Sequence, residues 1–290
     1  MRDREPTIRS RELGEGLRRA MEQSGLDQKG AAAKLGWSQS RVSRLLSGKR
    51  GGTEVDVSAF LAVVEVTGAE RERLLGICRE QNTPGWLQQH GSRLPHQLRT
   101  LIDHENKAVS IDEFEPTLVP GLLQTTDYAR ALIRASTMPT EEIEDRVAAR
   151  LGRQSLFGRE RPARFSFFIH EFVLHLPVGG PAVMAEQLQH LLRKATRPYL
   201  SLRVVPATLG GHAAAAGAFR LIEFAEFRPV VYLESETTSL FLEKPEEIAA
   251  YRRILGLLAQ TALGERESRE LIATVATELS AEREDHDDRP

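Results

Sequence analysis

Apolar residues recur at helical spacing from the start of the chain: Leu13, Leu17, Ala20 and Met21 share one face, and Ser24-Gly25 ends the run. The pattern predicts a short second helix over 28–35, stopped by Gly36. A third follows over 39–47, with Ser38 as its N-cap and Ser47-Gly48 as its end. Val57, Phe60, Leu61 and Val64 line a fourth helix, and Leu74, Leu75 and Ile77 mark a fifth after Thr67-Gly68. From Gln81 to Leu94 the pattern lapses into Gly, Pro and amide side chains, the composition of a linker, within which Trp86 reads as an anchor. Helical spacing returns over 97–109, 125–135 and 140–157, with 112–124 interrupted by Pro116 and Pro120-Gly121. Short apolar runs at 165–169, 200–205, 219–224, 230–233 and 240–242 then read as strands. A helix over 181–195 separates the first two, and helices over 245–262 and 266–279 follow the last.

The expected architecture is multidomain. It has an all-α N-terminal domain over 1–80, a linker over 81–103, a mixed α/β domain over 104–280 and an acidic disordered tail over 281–290. A length of 290 residues suits two domains, and 41% hydrophobic with 28% charged residues excludes collagen-like and wholly disordered classes.

The formal charge of -2 argues against nucleic acid until it is divided along the chain. Residues 1–50 carry 12 Lys/Arg against 6 Asp/Glu, a net +6, whereas the remaining 240 carry 27 against 35, a net -8. Cys78 alone excludes an intramolecular disulfide, and neither an apolar leader nor an 18-residue apolar stretch is present. A cytoplasmic protein without a membrane segment is therefore expected.

The segment GLDQKGAAAKLGWSQSRVSRLLSGKR (25–50) places a short helix, a Gly-containing turn and a second helix in the order that seats a recognition helix in the major groove. Leu35, Val42 and Leu45 are apolar where that helix packs back on the unit, while Gln39, Ser40, Ser43 and Arg44 face outward near its N-terminal end. Glutamine suits the adenine edge and arginine the guanine edge, so these four are the candidate base readers. Arg41, Lys49 and Arg50 are placed for phosphates.

From Gly25 to Lys49 the segment resembles the phage-repressor, or Xre, class of helix-turn-helix domains. The resemblance implies a lambda-repressor-like fold and gives Gln28, first in the second helix, a phosphate contact. Gly30-Ala31 departs from the charged residue and Leu usual in the class, which predicts a weaker second helix leaning on helices four and five.

Beyond the linker, the blocks EFEPTLVPGLLQTTDYARALI (113–133), RVAARLGRQ (146–154), HEFVLHLPVGGPAVMAEQLQHLL (170–192), LRVVPATLGGHAAAAGAFRLIEF (202–224) and YLESETTSLFLEKPEEIAAYRRIL (232–255) resemble the C-terminal domain of unknown function in actinobacterial Xre-type regulators. That family includes developmental regulators of the WhiJ kind, often encoded beside small partner proteins in antitoxin-like arrangements. The resemblance implies a transcriptional regulator, and a repressor is expected. Because one recognition helix reads few base pairs, a homodimer on a palindromic operator in double-stranded DNA is expected too. The regulator's C-terminal domain would oligomerise, sense a ligand or bind a small partner protein. A small-molecule-sensing repressor and an antitoxin-like adaptor working by protein contact are the two rivals.

Residue chemistry in this region favours binding over catalysis. His170 and His175 are five apart where a zinc-protease helix needs four, Gly179-Gly180-Pro181 lacks the Lys-Ser/Thr of a phosphate loop, and no GxSxG occurs. No enzyme, metal or cofactor is expected. The loop LGGHAAAAG (209–217), with His212, reads as a flexible connection or as a ligand cover. Leu122, Leu123, Tyr128 and Leu132 read as core, or as a partner or dimer groove. Glu234, Glu236, Glu243, Glu246 and Glu247 read as a solvated acidic face or as a surface for a basic partner.

Overall fold

The computed structural model describes residues 7–48, 52–80, 86–89, 95–136, 139–235 and 238–287. It divides into two compact units, and the division is not linear: residues 226–230 and 235–248 group with residues 1–100 in the first, and the rest form the second.

In the first unit, helices α1 (Ile8–Gln23), α2 (Gln28–Leu35), α3 (Gln39–Leu46), α4 (Glu54–Val63) and α5 (Gly68–Glu80) follow the expected order. One cluster that includes Leu13, Leu17, Val42, Phe60, Leu61 and Leu74 fills their centre. Close approach of α1 to the end of α3 depends on two glycines. A Cβ on Gly14 would lie 2.5 Å from the Leu46 carbonyl oxygen, and Gly48, at φ +67°, would meet the Ser10 carbonyl oxygen at 2.5 Å.

The stretch expected to be a linker is structured in part. Residues 86–89 form strand β1 (Trp86–Gln89), which pairs antiparallel with β7 (Thr238–Leu242) in the register Trp86↔Phe241, and α6 (Pro95–Lys107) begins inside it. A four-residue strand between Gly/Pro-rich flanks carries too short a pattern to be read locally; its partner lies some 150 residues away.

The second unit holds a mixed sheet ordered β6 (Val230–Glu234), β5 (Phe219–Phe224), β2 (Ala108–Glu115), β3 (Arg164–His170), β4 (Leu200–Val205). The β2–β3 and β3–β4 pairs are parallel and β2–β5 is antiparallel. Parallel neighbours need crossovers. These contain α7 (Thr126–Arg134) and α8 (Ile143–Gly152) between β2 and β3, and α9 (Phe172–His175) and α10 (Pro181–Lys194) between β3 and β4. α11 (Pro245–Thr261) follows β7, and α12 (Glu265–Asp287) packs on α10.

Three expectations change here. Strand β2 occupies residues expected to end a helix and open an irregular stretch, because Glu113 is buried between Ile111 and Phe114 and hides the strand's apolar character. His175, in a segment whose sequence reads as a strand end and loop, instead ends a one-turn helix. The tail from 281 continues α12 as far as Asp287, since Ala, Glu and Arg favour the helix despite the charge.

Glu113 belongs to a buried ion network. The Arg220 guanidinium donates to both Glu113 oxygens at 2.9 and 2.7 Å and to Glu105 Oε1 at 2.7 Å; Arg153 donates to both Glu105 oxygens at 2.9 and 2.6 Å. Burial works against the Arg220 charge, but Glu113 and Glu105 outweigh it and hold its pKa above the ordinary arginine value. Burial, followed by the Glu113 charge, pushes the neighbouring Glu115 carboxyl well above the ordinary range.

Candidate nucleic-acid interface

The helix-turn-helix is built by three local signals. The Asp27 side chain caps α2 by accepting from the Gly30 N–H at 2.7 Å. Gly36 at φ +64° ends α2 in the left-handed conformation, and the Ser38 hydroxyl caps α3 by accepting from the Arg41 N–H at 3.3 Å. The departure at Gly30-Ala31 now has a physical account. A Cβ on Gly30 would lie 3.1 Å from the capping Asp27 oxygen, and Ala31 is fully buried where a Leu would have to be accommodated.

Val42, Leu45 and Leu46 bury one face of α3. The opposite face presents Gln39, Ser40, Arg41, Ser43 and Arg44, all exposed, so the four candidate base readers lie together on one surface. Ser40 shares a hydrogen bond with the Ser38 hydroxyl at 3.1 Å. Gln28 is half-buried at the start of α2, while Lys49 and Arg50 lie outside the described residues. At the far end of α3, Arg18 donates to the Leu46 carbonyl at 3.1 Å and sets a cation against the negative end of the helix.

Arg41 is held by two groups that the pattern of the segment did not announce. Its guanidinium lies over the Trp37 ring, 4.1 Å from the centroid, and donates to Asp56 Oδ1 at 2.7 Å. Asp56 is itself fixed at the start of α4, accepting from the Thr53 N–H at 3.0 Å while its own N–H donates to the Thr53 hydroxyl at 3.2 Å. Partial burial works to raise the Asp56 carboxyl, but hydrogen bonds from Thr53 and Arg41 prevail and hold it below the ordinary aspartate value. The Thr53-x-x-Asp56 spacing is a capping box and was legible as such; its reach to Arg41 was not.

The C-terminal candidates do not form one site. Leu122, Leu123 and Tyr128 are fully buried and so line no groove; Leu132 is half-buried. Side-chain bonds explain the excess of apolar residues there. Gln187 accepts from the Thr125 N–H at 2.7 Å and donates to the Leu123 carbonyl at 2.8 Å, and the Tyr128 hydroxyl accepts from the Val119 N–H at 3.1 Å. These contacts close the Pro-Gly turn over the buried side chains. His212 stacks on His170 with centroids 5.7 Å apart, meets the Phe114 ring edge-on at 5.3 Å, and its Nδ1 accepts from the Ala214 N–H at 3.2 Å. Burial, then the nearby His170, lowers its pKa. Glu243, read as part of an acidic face, is buried and lies 3.7 Å from the Arg11 guanidinium within the first unit.

Among the described residues no group of three or more His, Cys, Asp or Glu side chains could hold a metal, and no helix is long and apolar enough to cross a membrane. No curated protein matches the chain. One solved structure, "Structure of TrmBL2, an archaeal chromatin protein, shows a novel mode of DNA binding", is similar at 10% identity and a TM-score of 0.30. The match covers 68% of this chain and 60% of that one. Residues 12–74 match a helix-turn-helix domain model, so the N-terminal region is a helix-turn-helix domain. Residues 98–274, more than half of the chain, match the model of a domain of unknown function, DUF5753, and the chain belongs to that family.

Proposed function

We propose that the chain is a sequence-specific DNA-binding transcriptional regulator, a repressor that acts by binding and not by catalysis. The observation that carries this reading is the exposed face of α3, where Gln39, Ser40, Ser43 and Arg44 project from a helix anchored by Val42, Leu45 and Leu46. Gln28, Lys49 and Arg50 fix the helix on phosphates, and the net +6 of residues 1–50 draws it to the duplex. One such helix reads few base pairs. A homodimer on a palindromic operator, with half-sites ~34 Å apart, supplies the rest. The DUF5753 domain sets the regulator's activity through a small partner protein.

Selection from a random duplex library, followed by footprinting, tests the reading: a protected palindrome is the expected result, and no enrichment over random sequence would refute it. Arg44→Ala should flatten the sequence preference, with a loss of ~1–3 kcal/mol of discrimination at one base pair. Lys49→Ala should weaken binding to all sequences and lower the salt slope by ~1.

A further inference from the structure

We propose that Asp56 withholds the charge of Arg41 from DNA phosphates and thereby lowers the affinity of the protein for DNA of any sequence. The inference rests on the DNA-binding reading and adds a residue to it that lies outside the recognition helix.

The geometry has three parts. Arg41 stands on the exposed face of α3, directly after the proposed base reader Ser40, where a free guanidinium is placed for a phosphate beside the bases being read. Its guanidinium is taken: one face lies on Trp37, 4.1 Å from the ring centroid, and one N–H bonds Asp56 Oδ1 at 2.7 Å. Asp56 is not a mobile counterion. Its second oxygen accepts from the Thr53 N–H at 3.0 Å and its backbone donates to the Thr53 hydroxyl, so the carboxylate is fixed by the cap of α4 and stays beside Arg41.

A fixed ion pair on the DNA-facing helix presents no net charge to an approaching phosphate. To use Arg41, a phosphate must either displace Asp56 or sit close to its negative charge. Each phosphate neutralised by a free cation steepens the dependence of log K on log salt by ~0.9. The pair therefore removes about one such contact from every sequence-independent complex. Glu54, also in the first turn of α4, is separately occupied by Arg79 at 2.6 Å and is not available to replace Asp56.

The test uses the full chain and a random-sequence duplex, with binding measured between about 50 and 200 mM salt. Asp56→Asn keeps the size of the side chain and an acceptor for the Thr53 N–H while discharging it. The expected result is tighter binding, with a salt slope steeper by ~0.9, equivalent to roughly a threefold larger loss of affinity across that salt range. In the Arg41→Ala background the same substitution should leave the slope where Arg41→Ala alone puts it. An unchanged slope for Asp56→Asn overturns the proposal, and so does a steepening that persists without Arg41, because the effect would then be general charge and not release of that side chain. Asp56→Ser serves as the second discharged variant; if neither it nor Asp56→Asn gives a cooperative melt, Asp56 is a folding residue and the proposal falls. Absence of wild-type binding at the lowest salt would instead sink the DNA-binding reading itself.

Discussion

The two units are stabilised in different ways. The core cluster of the helical bundle is apolar, from Leu13 and Leu17 on α1 to Phe60 and Leu61 on α4; ion pairs such as Arg18–Glu15 and Arg79–Glu54 lie at its surface, and the buried charges of the first unit include the Arg11–Glu243 pair, 3.7 Å apart. The second unit buries Glu113 and Arg220, on neighbouring strands, with Glu105 of α6 and Arg153 beyond α8, each less than a tenth exposed. Apolar burial is non-directional and tolerates imperfect neighbours. A buried ion network is costly to desolvate and holds only when every donor and acceptor is matched. The bundle can thus be specified by the spacing of its residues, whereas the sheet interior depends on charges that meet across more than a hundred residues of chain.

The most severe way to break the contrast is Arg220→Ala, which leaves Glu113 uncompensated and removes one of the three hydrogen bonds to Glu105. A loss of about 3–5 kcal/mol is expected, read as lost amide-exchange protection in β2 and β5, with α1 and α3 retained. The complementary change, Leu17→Ala, removes a fully buried side chain from the bundle and should cost about 2–5 kcal/mol, with the loss of protection confined to the first unit. If either substitution unfolds both units together, the contrast does not describe how the protein is stabilised.

A pH series sharpens the contrast, because two strongly shifted groups of the second unit act in opposite directions. Burial, then Glu115's neighbour Glu113, raises the Glu115 pKa, so its contribution is complete below the ordinary glutamate value and is lost as pH rises through the raised one. Burial, then Lys194 and Arg193, lowers His190 from 6.5 to about 4, so its contribution is present above 6.5 and is lost as pH falls toward 4. Glu115→Gln should flatten the alkaline limb of the second unit's denaturation midpoint, and His190→Gln the acid limb between those two values. A pH profile unchanged by both would show that neither group titrates differently in the folded chain. The smallest expected effect is Ser38→Ala. It removes the α3 cap at a cost of about 1 kcal/mol, measurable as a lower melting temperature of the bundle.

The same contrast explains what was legible. Helices α1 to α5 fall close to where periodicity and caps placed them, and the base-reading candidates share a surface because Val42, Leu45 and Leu46 fix which side of α3 faces inward. Strands β3 to β7 were also readable from short apolar runs. Strand β2 was not, since its buried Glu113 is indistinguishable in sequence from a solvated glutamate until Arg220 arrives opposite it: residue 113 of β2 pairs in register with residue 220 of β5. Leu122, Leu123 and Tyr128 were readable as core or as a groove, and the choice between the two waited on the fold, because the amide of Gln187 that closes the turn over them comes from α10.

By itself the sequence determined the helical bundle, the outward face of its third helix and the division of charge into a basic start and an acidic remainder. Those properties depend on spacing, caps and composition, which act within a turn or two of the chain. Tertiary structure alone decided that β1 pairs with β7, that Glu113 and Arg220 on neighbouring strands meet Glu105 and Arg153 in the interior of the second unit, and that Arg41 on the exposed face of α3 is matched by Asp56. Each of these is a directional contact between residues distant in sequence. The strength of a hydrogen bond or ion pair is set by distance, angle and surrounding solvent, and only the folded chain fixes those three together.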